Sequence, residues 1–104
     1  MSALQALAEP TRRRIVELLA ERERSAGELS REFAVSRPAV SRHLRVLREH
    51  GLVRSRGEAQ RRVYSLEPAP FMELDEWLDG LRGFWSQRLD ALETELRRGE
   101  AARP

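Results

Sequence analysis

Residues 25–51 read SAGELSREFAVSRPAVSRHLRVLREHG, and this stretch decides the fold. Ser25 followed by Glu28 has the form of a capping box, a side-chain oxygen with a carboxylate three residues on. The helix it opens carries Leu29 and Phe33 one turn apart and is expected to run to about Phe33. Ala34-Val35 then make a tight turn. Ser36 is a second N-cap, and Pro38 falls in the first turn, where a missing N–H costs nothing. From residue 37 to residue 50, Val40, Leu44 and Leu47 form one apolar stripe at i, i+4, i+7, and Gly51 stands where a helix ends in a left-handed cap. Two short helices joined by a tight turn, the second capped and rich in arginine, make a helix-turn-helix unit.

With the stripe turned inward, the opposite face presents Pro38, Ser41, Arg42, Arg45 and Glu49, with Arg37 beside it at the N-terminal end. A helix of this kind fits the major groove and lays its N-terminal side chains against base edges. Arg37, Pro38, Ser41, Arg42 and Arg45 are therefore the candidate DNA-reading residues, weighed against an ordinary solvated helix face.

Downstream, the period changes. Leu52-Val53-Arg54-Ser55 and Arg62-Val63-Tyr64-Ser65-Leu66 read as two short strands, with residues 56–61 as a polar, glycine-bearing turn. This hairpin, about residues 52–66, brings Arg54, Arg56, Arg61 and Arg62 to a wing suited to the minor groove or the phosphates. Tyr64 is expected to pack beneath it. Pro68 and Pro70 break the chain, and a last helix is expected over about 70–97, with a frayed tail at 98–104. Its apolar positions include Phe71, Leu74, Leu78, Leu81, Trp85, Leu89, Leu92 and Leu96, flanked by Trp77 and Phe84. Upstream, Leu4 and Leu7 begin a short apolar pattern. After Pro10, Ile15, Val16, Leu18 and Leu19 mark a second short helix, and residues 20–24 read as a connection.

The 104 residues leave room for one domain, placed at 1–97, mainly α with a small β-hairpin. Charge is unevenly spread: residues 1–66 carry 14 arginines against 8 acids, and residues 67–104 carry 5 against 9. A basic front and an acidic back suit a chain that offers one part to a polyanion. Every basic residue is arginine, and cysteine is absent. The start, Met-Ser-Ala-Leu-Gln, has no basic segment leading into an apolar run, and no stretch approaches the ~20 apolar residues of a spanning helix. The expected setting is cytoplasmic and nucleoid-associated, with no membrane partner.

The stretches 7–19 (LAEPTRRRIVELL), 36–53 (SRPAVSRHLRVLREHGLV) and 61–66 (RRVYSL) together resemble the ArsR family of bacterial repressors. The resemblance implies a dimeric winged helix-turn-helix whose terminal helices form the interface, with repression relieved by an inducer. Interface candidates are Leu4, Leu7, Leu74, Leu78, Leu81, Trp85, Leu89 and Leu92. On the last helix the same leucines leave two readings open, a dimer core or a small-molecule cavity between protomers. The sequence departs from the metal-sensing members, having no cysteine and only His43 and His50, both in or at the end of the reading helix. No metal or other cofactor is expected. A structural role is expected for His43, and His50 is expected to meet the terminal carbonyls of its helix.

An enzyme fares badly as an alternative, since no nucleophile–base pair, phosphate loop or acid cleft stands out. An RNA-binding winged helix would want exposed aromatics near the basic region, where Tyr64 is alone. The reading is a homodimeric repressor on an inverted-repeat operator in double-stranded DNA, with an inducer, small molecule or protein, of unknown identity. Its alternative is a winged-helix protein–protein interaction module.

Overall fold

The structure, a computed structural model, describes residues 2–101. Its elements run α1 (Ser2–Leu7), α2 (Pro10–Glu21), β1 (Arg24–Ser25), α3 (Ala26–Arg31), α4 (Arg37–Glu49), β2 (Val53–Glu58), β3 (Arg61–Leu66) and α5 (Pro68–Ala101). One compact unit ends at Phe71 and a second begins at Met72.

The core of the first unit grows from the stripes seen in the sequence. Ile15, Leu29, Val40, Leu44, Leu47 and Leu52 are almost wholly buried, joined by Ala6, Leu18, Leu19, Val53 and Tyr64. Phe33 and Phe71 pack against them, half-buried. Burying each large aliphatic side chain contributes roughly 1.5–3 kcal/mol before chain entropy is counted. The caps are as expected. Ser25 Oγ accepts from the Glu28 amide while Glu28 Oε1 accepts from the Ser25 amide, both at 3.2 Å. Ser36 Oγ accepts from the Ala39 amide at 3.3 Å. At the other end of α4, Leu52 N–H bonds the Leu47 carbonyl and Gly51 N–H the Arg48 carbonyl, each at 3.0 Å. This Schellman closure needs a left-handed residue, and Gly51 supplies it at φ 73°.

Three local expectations change. Of the expected connection 20–24, Ala20 and Glu21 belong to α2, and Arg24 forms with the capping Ser25 a short strand that completes a three-stranded antiparallel sheet in the order β1-β3-β2. Two residues carry no readable period, so only tertiary pairing, Arg24 with Tyr64 and Ser25 with Val63, reveals them. The turn of the hairpin is Ala59-Gln60 alone, not the whole of 56–61. Glu58 pairs with Arg61 and Gly57 lies within β2 opposite Arg62. Ala59, at φ 56°, takes a left-handed position that favours glycine. Finally, α5 starts at Pro68 and includes Pro70, so neither proline breaks the chain. Both sit in the first turn, where amides have no intrahelical partner to lose.

The second unit is the remainder of α5, helical to Ala101, beyond the expected end at 97. The expected frayed tail over 102–104 lies outside the described residues. Leu74, Leu78, Leu81, Trp85, Leu89, Leu92 and Leu96 follow one another at steps of four, three and four. Leu74 is buried and Leu81 half-buried, but Leu78, Trp85, Leu89, Leu92 and Leu96 are exposed. Phe84 and Trp85 meet edge to face with centroids 5.6 Å apart, and the Arg88 guanidinium lies 4.4 Å over the Phe84 ring. Acids line the other side, where Arg82 pairs with Asp79 at 3.3 Å and Arg97 with Glu93.

Candidate nucleic-acid interface

The exposed face of α4 follows from its buried one. With Val40, Leu44 and Leu47 fixed in the core, helical geometry turns Pro38, Ser41, Arg42, Arg45 and Arg48 outward. These five residues line one open groove, closed on the far side by Tyr64 of β3. Four of them are the residues the sequence singled out. Arg48 is new, and its place three residues after Arg45 on the helix was the available signal. Tyr64 is buried as expected and belongs to both the core and the groove wall.

Arg37 stands apart from that groove. It shares a second depression with Arg31, Gly27 and the wing residues Gln60, Arg61 and Arg62. A Cβ on Gly27 would come within 3.2 Å of the Arg37 guanidinium, so the glycine leaves room for this arginine to lie against α3. Arg31, in the last turn of α3, is a second basic residue that the sequence reading passed over; the turn of chain between α3 and α4 brings it beside Arg37.

Electrostatics separates the two basic elements. Among the described residues, Arg31, Arg37, Arg42, Arg45 and Arg48 form no ion pair, and Glu49 at the end of α4 pairs with none of them. The wing arginines are engaged. Strand alternation places Arg54, Arg56 and Arg61 on one face of the hairpin and Arg62 on the other. Arg56 grips Glu23 through two bonds of 2.7 Å and also reaches Glu58 at 3.0 Å. The bidentate bond holds the Glu23 carboxyl below its usual range and raises the Arg56 guanidinium further above its own. Arg54 donates to Ser65 Oγ at 3.3 Å and lies 3.8 Å from Glu67. Arg62 donates to Ser55 Oγ at 3.2 Å.

Glu28 ties the hairpin to α3. It accepts from Arg22 at 3.0 Å and from the Ser25 amide, and Arg61 lies 3.7 Å away. The Arg22 bond foremost, then the Ser25 amide, lowers its carboxyl to about 2. Arg24, buried and missed by the sequence reading, is not part of the interface. Its guanidinium caps α2 through the Leu18 carbonyl at 3.2 Å and pairs with Glu21 at 2.8 Å. His43 is half-buried and bonded within the fold, whereas His50 is the C-cap of α4. Among the described residues no three His, Asp or Glu side chains converge as metal ligands. No described helix is long and apolar enough to cross a membrane.

The interface candidates on the terminal helices are spread in burial. Leu4 is exposed, Leu7 packs against the core of its own unit, and Leu74 is buried. Leu78, Trp85, Leu89 and Leu92 present the exposed row described above.

Comparison with known proteins bears on the whole arrangement. The family profile described as bacterial regulatory protein, arsR family, matches residues 9–55, from the start of α2 into β2. The HTH-type transcriptional regulator Rv2034 of Mycobacterium tuberculosis is 49% identical over 87 residues, spanning 84% of this chain and 78% of the relative. The transcriptional repressor SdpR of Bacillus subtilis is 29% identical over 77 residues, spanning 74% of this chain and 86% of the repressor. Among solved structures, a possible transcriptional regulator for arsenical resistance superposes with a TM-score of 0.72 at 41% identity. That match covers 91% of this chain and 96% of the other.

Proposed function

We propose that this chain, which belongs to the ArsR family of bacterial DNA-binding transcriptional regulators and is not an enzyme, acts as a homodimeric repressor on an inverted-repeat operator. Two protomers pair through the segment around Leu4 and Leu7 and the apolar row of α5 after Phe71. Their α4 helices then enter successive major grooves about 10 base pairs apart. Arg42, Arg45 and Ser41 read bases from the groove beside Tyr64, while Arg37 clamps a phosphate at the helix start. Arg54, Arg61 and Arg62 add backbone affinity that carries no sequence information. Regulation is completed by an inducer, a small molecule or a protein, that lowers operator affinity, and the setting is the cytoplasm, on the nucleoid.

The observation that carries this reading is the row of arginines on α4 without acidic partners. A row of arginines left open along one groove-sized helix concentrates positive potential on that face and suits an external polyanion. A protein-interaction module would need no such row. The test is a salt-dependent titration of the purified protein against duplex DNA from upstream of its own coding sequence, with random duplex and single-stranded RNA as controls. One dimer per duplex, a steep salt slope and preference for one sequence are the expected result. Equal weak binding to all three nucleic acids would overturn the operator reading.

A further inference from the structure

The reading face of α4 is gripped from behind. His43 lies on the side of α4 away from Ser41, Arg42 and Arg45, and its Nδ1 is 3.3 Å from Nη1 of Arg12 on α2. The same guanidinium donates through Nε to the carbonyl of Ala6 in α1 at 2.7 Å. Glu9, the N-cap of α2, accepts from the Arg12 amide at 2.9 Å and places a carboxylate oxygen 3.7 Å from His43 Nδ1. Burial raises the Glu9 carboxyl, but the Arg12 amide foremost, with the Arg12 guanidinium charge, acts against it and the group is left lowered, hence ionised. One arginine thus spans three helices: the N-terminal segment, the scaffold helix and the reading helix. A guanidinium only donates, so the contact requires Nδ1 of His43 to accept and places the ring proton on Nε2.

We infer that Arg12 and His43 are positioning residues for DNA reading, forming a strut that sets the orientation of α4 relative to α1. The inference rests on the reading of α1 as part of the dimer contact. An inverted repeat fixes the angle and separation of the two reading helices, so whatever joins the pairing segment to α4 governs operator recognition. Binding to an arbitrary duplex makes no such demand, because phosphate contacts tolerate a helix set at another angle. The strut is therefore expected to affect specificity while leaving non-specific affinity alone.

The test compares operator and random-duplex affinity for the full chain and its Arg12→Ala, His43→Leu, doubly substituted and His43→Asn forms. Sedimentation is run on each. Each single substitution is expected to weaken operator binding roughly tenfold, with the double substitution no worse than either alone, as for two ends of one strut. Random-duplex affinity and the dimer should be unchanged. Asn presents Oδ1 close to the place of Nδ1, and His43→Asn is expected to recover affinity to within about threefold of the original. Additive effects, or equal weakening on both duplexes, would overturn the strut. A monomeric parent protein, or one without operator preference, would instead overturn the dimeric-repressor reading. Should the variants fail to fold, nitrogen NMR of the unsubstituted protein decides: an unprotonated Nδ1 supports the strut, and a proton on Nδ1 rules it out.

Discussion

The reading helix and the wing each carry four arginines; among the described residues none on the helix is paired with an acid, and all but Arg62 on the wing lie near one. On α4 and at its start, Arg37, Arg42, Arg45 and Arg48 have no acidic partner among the described residues. On the hairpin, Arg56 is held by Glu23 and Glu58, Arg61 lies near Glu28, and Arg54 lies near Glu67. A cation already paired must break that pair before it can bind phosphate, and the gain is the difference between two interactions. A cation without a partner gives up only its hydration. Counting arginines treats the two elements as equals, but the pairing leaves α4 the more open of the two to an outside anion and the wing largely braced.

The strongest way to break this contrast is to remove the unpaired cations. Replacing Arg42 and Arg45 together by Ala is expected to weaken operator binding on the order of a hundredfold or more while sedimentation still shows a dimer. An unchanged affinity would move the reading surface elsewhere. The wing should respond differently. Arg61→Ala with Arg62→Ala is expected to lower operator and random-duplex affinity alike, by roughly tenfold, and to flatten the salt slope by about one unit for each phosphate no longer neutralised. A weakening confined to the operator would show that the wing reads sequence.

Smaller effects probe the bracing itself. Ala59→Gly relieves the left-handed turn at the wing tip and is expected to raise stability by roughly 1 kcal/mol in thermal unfolding, with DNA affinity unchanged. Acid tests the bonds that Glu28 of α3 accepts from Arg22 and the Ser25 amide. Its carboxyl is depressed in the fold from 4.5 to about 2, so its stabilisation is present above pH 4.5 and disappears as pH falls toward 2. Glu28→Gln should therefore be less stable than the parent at neutral pH, and the two should converge in denaturant titrations near pH 2. Least of all, Arg56→Ala should change operator affinity by less than about twofold, because that side chain already serves Glu23. A large effect there would erase the distinction between the two elements.

The sequence reveals what local periodicity and capping control. The Val40–Leu44–Leu47 register, the caps at Ser25 and Ser36 and the Gly51 exit are all short-range patterns. They place Ser41, Arg42 and Arg45 on one face by spacing alone. What stays hidden depends on residues far apart in the chain. Arg56 and Glu23 are separated by 33 positions, and no spacing rule pairs them. β1 is too short to show a period, and Ala59 adopts a conformation its side chain disfavours because strand pairing on both sides demands it. Arg24 reads as one more surface charge, yet its guanidinium caps a helix from inside the fold.

The Gly51 exit, the buried stripe and the strut behind His43 hold the α4 arginines close together whether or not anything faces them. Like charges held in fixed proximity repel, so the protein without its ligand carries a built-in load that any dense polyanion relieves. Linkage then makes melting temperature a gauge of occupancy: heparin or duplex DNA should raise it, and the rise should shrink as salt is added. A repressor built this way is expected to be least stable when it has nothing to repress.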